Sequence, residues 1–136
     1  MATKLAKEWL KASLSDLMNI EAIIDNNFLT HITAFHSQQS VEKSLKAMIE
    51  NKNQKIPRVH SLRKLIELVD NKIEYNLELI KLLDSLYIES RYPTDLGLLP
   101  YGKPTLEDAR EFFDFAQSVF DEVCQKLNVS KYELMD

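Results

Sequence analysis

Between Phe28 and Ile49 apolar residues recur at helical spacing, and three hydrogen-bonding side chains fall among them. At about 100° per residue, Phe28, Ile32, Ala34, Phe35, Val41, Leu45 and Ile49 share one arc of a helix. Gln38, Gln39 and Glu42 project into that same arc. A buried amide without partners costs about 1 to 3 kcal/mol, and an unpaired buried carboxylate costs more. Two readings follow. Either each polar group meets a partner across a helical bundle, on a second chain or on a ligand, or the glutamines sit half-buried at the edge of the stripe and stay solvated. Under both, this helix is the place to look for function.

The same periodicity organises the rest of the chain. A first helix is expected from about Lys4 to Asn26, with Leu5, Trp9, Ala12, Ile20 and Ile23 on one face and Leu17 and Ile24 broadening it. The second spans roughly Leu29 to Asn51, and a polar connector then runs to Pro57. Ser61 caps a short third helix that buries Leu62, Leu65, Ile66 and Val69. A fourth, from about Leu77 to Glu89, reads Leu79, Ile80, Leu82, Leu83, Leu86, Tyr87. Thr105 to Asp108 resembles a capping box with Asp for the usual Glu. It opens a last helix that packs Phe112, Phe113, Ala116, Val119, Phe120, Val123 and Leu127 inward. No strand alternation competes, and two glycines and four prolines in 136 residues suit one compact helical domain over 1–136. The expected fold is therefore all-α, an up-and-down bundle of four to five helices.

Several chemistries are disfavoured. A net charge of −4 argues against coating nucleic acid by bulk electrostatics and leaves room for a local basic patch. That patch is Lys52, Lys55, Arg58, Arg63 and Lys64 with His60, a run without one acidic residue. It reads as a solvated connector or as a contact for phosphates or an acidic partner surface. Cys124 sits beside an apolar stripe with no base in a recognisable motif around it, so it reads as a core or boundary thiol. His31 and His36 do not stack on a helix face, and no carboxylate-x-x-His pair suggests a metal; no cofactor is expected. The first ten residues interleave Lys4, Lys7 and Glu8 with apolar ones, which suits neither a signal peptide nor a membrane span and makes the cytoplasm the expected compartment. Residues Ser90 to Pro104 form a long connection carrying Arg91, Tyr92, Asp95, Tyr101 and Lys103, either a functional loop or a plain cover for one end of the core.

Four segments, in order, carry a family resemblance. They are Phe35-His36 leading into Gln38-Gln39 and Glu42-Lys43, then Val59-His60-Ser61-Leu62, then Tyr87 to Pro93 with Arg91 and Tyr92, and lastly Glu107-Asp108-Ala109. Together they resemble the HEPN family, the higher eukaryote and prokaryote nucleotide-binding domain, over nearly the whole chain. The resemblance implies a small helical bundle, often a homodimer, commonly encoded in bacteria and archaea beside a minimal nucleotidyltransferase with which it forms a two-protein module. Many relatives are RNA-cutting toxins, and others are non-catalytic binding domains.

The catalytic relatives carry an Arg followed a few residues later by a His. Arg91 aligns with that arginine, yet Leu96, Gly97 and Leu98 stand downstream, and no histidine follows His60. Without an imidazole to move a proton near neutral pH, the family's acid/base chemistry lacks its principal group. The expected function is a non-catalytic accessory protein, partner of a nucleotidyltransferase and a binder of nucleotide or RNA. The alternatives are a divergent, toxin-like endoribonuclease without the usual histidine and a purely structural adaptor. The candidate ligand- or partner-binding residues are His36, Gln38, Gln39, Glu42, Lys43, Arg91 and Tyr92. Glu42 is expected to pair with Arg91 or, as second choice, with Lys43. Leu10 and Leu14 are expected to form a second apolar face on the first helix, available to a dimer partner.

Overall fold

A computed structural model describes residues 2–69, 73–86 and 102–136. Its helices are α1 (Lys4–Ile23), α2 (Thr30–Asn51), α3 (Leu62–Leu68), α4 (Leu77–Leu86), α5 (Leu106–Leu127) and α6 (Lys131–Leu134), with a single 3-10 turn, Asn27–Leu29, before α2. The architecture is an all-α bundle, as the periodicity predicts. Caps set most of the boundaries. The Thr3 hydroxyl accepts from the Ala6 amide at the start of α1, and Ser61 accepts from Lys64 at the start of α3. Thr105 and Asp108 form the complete reciprocal box that opens α5. Asn128, in the left-handed conformation at φ 55°, ends α5.

α2 is the axis of the bundle. Fourteen of its 22 residues are buried, and α1, α3, α4 and α5 all pack against it. A helix covered from so many directions leaves its buried polar residues little access to water, so most of them take protein partners. Around it the core is continuous: Leu45, Met48 and Ile49 of α2 meet Leu10, Leu17 and Ile20 of α1, Leu62 and Leu65 of α3, Ile80 and Leu83 of α4, and Phe112 and Phe120 of α5.

Three expectations are corrected here. The buried stripe of α1 is Ala6, Leu10, Leu14, Leu17 and Ile20, whereas Leu5 is 59% exposed and Trp9 only partly covered. Leu10 and Leu14 are thus core residues and supply no second face for a partner. The two stripes overlap at Ile20, and the choice between them falls to Ser13, whose small side chain lets α1 approach α2 closely. Phe28 leaves the α2 arc altogether: it sits in the 3-10 turn, pinned by its amide to Asn26 Oδ1 at 2.9 Å, with 74% of its surface exposed. Lastly, α6 was not foreseen, although Ser130 and Glu133 spell its capping box in the sequence. The expected extension of the fourth helix through Tyr87 to Glu89 lies outside the described residues.

The relocated stripe has a thermodynamic signature. Leu10→Ala empties a fully buried site and is expected to cost about 2 to 5 kcal/mol in chemical denaturation. Leu5→Ala should stay within about 0.5 kcal/mol of the parent. Equal losses would place the stripe on the Leu5 face instead.

Candidate functional site

Residues four apart on a helix lie one above the other, and α2 carries two such polar rows. One row, Ser40 and Ser44, faces α1. Ser13 Oγ stands 2.8 Å from each of their hydroxyls and 2.9 Å from the Ser40 carbonyl. One hydroxyl has a single proton and two lone pairs, so Ser13 donates to the carbonyl and accepts from both serines. All three are fully buried, and every capacity of Ser13 is used.

The second row is Gln38, Glu42 and Lys46, all at most 6% exposed. Lys46 Nζ lies 3.1 Å from Glu42 Oε2, and the Gln38 amide donates to Glu42 Oε1 at 3.3 Å. His60 Nδ1 is 3.3 Å from both carboxylate oxygens, reaching in from the connector ahead of α3. Gln38 also donates to the His60 carbonyl at 3.4 Å and accepts from Gln39 at 2.7 Å. Lys46 in turn stands 5.4 Å from the centre of the Trp9 ring, an additional favourable contact for its charge. The His60 side chain is 44% exposed, so this buried network opens to solvent at the imidazole.

A second carboxylate centre lies between α1 and α2. Asp16, 6% exposed, takes His36 Nδ1 on one oxygen and Lys43 Nζ on the other, both at 2.8 Å. Each oxygen meets its own donor, the arrangement that makes a buried carboxylate tolerable. Beyond these centres, Asp84 of α4 accepts from the Leu62 amide at 2.6 Å and from Ser61 Oγ and the Arg63 amide at 3.3 Å. It ties the start of α3 to α4 beside the connector. An open cleft of about 320 Å³ forms there, lined by Arg58, Val59, His60, Ser61 and Asp84.

The predicted site residues therefore divide. Gln38, Gln39 and Glu42 are joined as one inward-facing network. His36 and Lys43 belong to the other centre, on Asp16, so the second-choice pairing of Lys43 with Glu42 is corrected. Lys43 sits one position beyond Glu42 and points to α1, while Lys46, four positions on, shares the Glu42 row. Arg91 and Tyr92 lie outside the described residues, and so does the first-choice Glu42–Arg91 pair. Lys46, Asp16 and the anchoring role of His60 were missed. The Glu42–Lys46 spacing was a legible signal, as was a charged Asp16 inside the stripe Leu10-Leu14-Leu17.

Two further ionisable groups are settled by their surroundings. Burial, reinforced by Asp121 and then Glu133, pushes the Cys124 thiol up to about 12, which suits a core position and disfavours a thiolate at neutral pH. Burial first, and then the Lys103 ammonium, hold His31 below the ordinary imidazole value, which favours its neutral form.

The result is a small helical bundle built round a central helix, with Asp16 and Glu42 met by groups from α2 and from the connector that follows it. Residues 6–127 match the family model for the HEPN domain, and the chain belongs to that family. Its fold is similar to the crystal structure of an archaeal HEPN homologue, with a TM-score of 0.66 and 23% identity over 90% of this chain and 97% of that one. No curated protein matches it. Among the described residues, no helix is long and apolar enough to cross a membrane.

The Glu42–Lys46 pair is open to a direct test. Removing one partner of a buried pair strands the other, so Glu42→Ala and Lys46→Ala are each expected to lose about 3 to 5 kcal/mol. The double variant should lose less than the sum, with a coupling above about 1 kcal/mol. Additive losses would show that the two charges are independent.

Proposed function

We propose that this HEPN domain is a non-catalytic binding module that acts through a minimal nucleotidyltransferase partner in the cytoplasm and engages a nucleotide or RNA. The observation that carries this reading is the missing imidazole. Arg91 has Leu96, Gly97 and Leu98 where the cutting relatives need a histidine. The histidines nearest the α2 network are both engaged with carboxylates, His36 with Asp16 and His60 with Glu42. Their Nδ1 atoms contact buried carboxylates that orient the rings and hold helices together, roles that account for them without proton transfer to a substrate.

The accessory reading gains support from the location of the charged groups. The buried carboxylates Asp16 and Glu42 are each held by groups from another segment as well as paired with charge, which ties α1, α2 and the connector together, and a firmly tied scaffold suits the presentation of a surface to a partner. We further propose a homodimer. Leu10 and Leu14 no longer argue for it, but Leu5 and Met18 of α1, 59% and 45% exposed, leave apolar surface on that helix for a second copy.

Purified protein incubated with single-stranded RNA is expected to leave it intact, since loss of an acid/base group forfeits about 10² to 10⁴ in rate. Metal-independent cleavage that disappears in Arg91→Ala would establish another proton carrier and an endoribonuclease. Co-expression with a nucleotidyltransferase encoded beside the protein should yield a co-eluting complex. Light scattering is expected to return about twice the 15.8 kDa chain mass, and the monomer mass at micromolar concentration would remove the dimer.

A further inference from the structure

We propose that the outer edge of the segment from Lys52 to Lys64 is an RNA-binding surface that takes the phosphate backbone of a single strand. The segment leaves α2 through Asn53, which adopts a left-handed φ of 57°, and then runs as irregular chain, bent at Arg58, toward α3. Ile56 and Val59 pack against the core, while Lys55, Arg58 and His60 between and beside them are exposed. Arg63 and Lys64 continue the exposed cations into the first turn of α3. Lys55, Arg58, Arg63 and Lys64 are thus all exposed within about ten residues of one another.

That edge is anchored rather than loose. Gln38 holds the His60 carbonyl, Glu42 holds the His60 ring, and Asp84 and Ser61 fix the residues that follow. A ligand that meets these cations therefore orders little additional backbone. Four of the cations also make no ion pair with a described residue. Lys7, Lys11, Lys43, Lys46 and Arg110 each contact a carboxylate, whereas Lys55, Arg58, Arg63 and Lys64 form no ion pair among the described residues. Asp84 is the carboxylate in the adjoining cleft, and the donors around α3 already occupy it.

The chemistry selects the ligand. Phosphates draw cations, and four exposed within about ten residues exceed what a single phosphate group engages, which favours a polymer. The segment has no Phe, Tyr or Trp on which a base could stack, so contact is with the backbone and tolerant of sequence. Two larger clefts elsewhere, about 620 and 790 Å³, both present Glu74 and Glu122, joined by Asp121 in the first and Glu67 in the second, and would repel phosphate. The inference rests on the reading of the protein as a binding module that leaves RNA intact.

The test is fluorescence anisotropy with a labelled single-stranded RNA of about 12 nucleotides across a salt series, with gel analysis of the RNA recovered. Lys55→Ala/Arg58→Ala and Arg63→Ala/Lys64→Ala alter exposed side chains, and far-UV circular dichroism should show both as helical as the parent. Each is expected to bind about tenfold more weakly or worse, with the slope of log K against log salt reduced by about 0.7 per lost contact. Lys126→Ala, exposed on α5, should bind as the parent does. Unchanged binding in both double variants overturns the surface, and so does ATP binding as tightly as the RNA. Intact but unbound RNA removes the surface and leaves the non-cutting reading in place. RNA that binds along this edge and is cut keeps the surface and removes that reading.

Discussion

A carboxylate inside a helical bundle must meet a cation, and in this protein two carboxylates meet theirs on one helix. Glu42 is held by Lys46, His60 and Gln38, and Asp16 by His36 and Lys43. Desolvating an ion costs several kcal/mol, which close donors repay only when the geometry is good. Because those donors are present, α2 can be surrounded by α1, α3, α4 and α5 with its buried carboxylate paired, while Thr33 Oγ1 and His31 Nδ1 of the same helix stay buried without a hydrogen-bond partner. The remainder of the bundle depends on that: the core on each side of α2 closes only if α2 itself can be buried.

The same interaction transmits order outward. His60 belongs to the connector between α2 and α3, and its ring and carbonyl are fixed by Glu42 and Gln38 from inside the bundle. Asp84 then joins the start of α3 to α4 through two backbone amides and a hydroxyl. The basic edge of the connector is thereby mounted on the most buried helix of the fold. The HEPN family match and the fold shared with an archaeal homologue agree with the all-α bundle in which this helix is central.

How much could be read beforehand differs from element to element. The five longer helices and the Thr105–Asp108 box were legible because apolar spacing and capping chemistry are local. Gln38 and Glu42 were legible as inward-facing for the same reason. The α1 stripe was not, since Leu5-Trp9-Ala12 and Ala6-Leu10-Leu14 both satisfy helical spacing, and only the approach of Ser13 to Ser40 and Ser44 selects the second. The partner of Glu42 was half legible: Lys46 lies on its row at four residues, but Lys43 is closer in sequence, and nothing local says which way it turns.

By itself, then, the sequence determined the helices, their caps and the presence of charged groups facing inward, because each follows from a periodicity of a few residues. Tertiary structure decided which cation meets which carboxylate. Asp16 is 20 residues from His36 and 27 from Lys43, and Glu42 is 18 from His60. Pairings at that separation are set by how the helices rotate against one another, and that rotation depends on side-chain packing across the whole core.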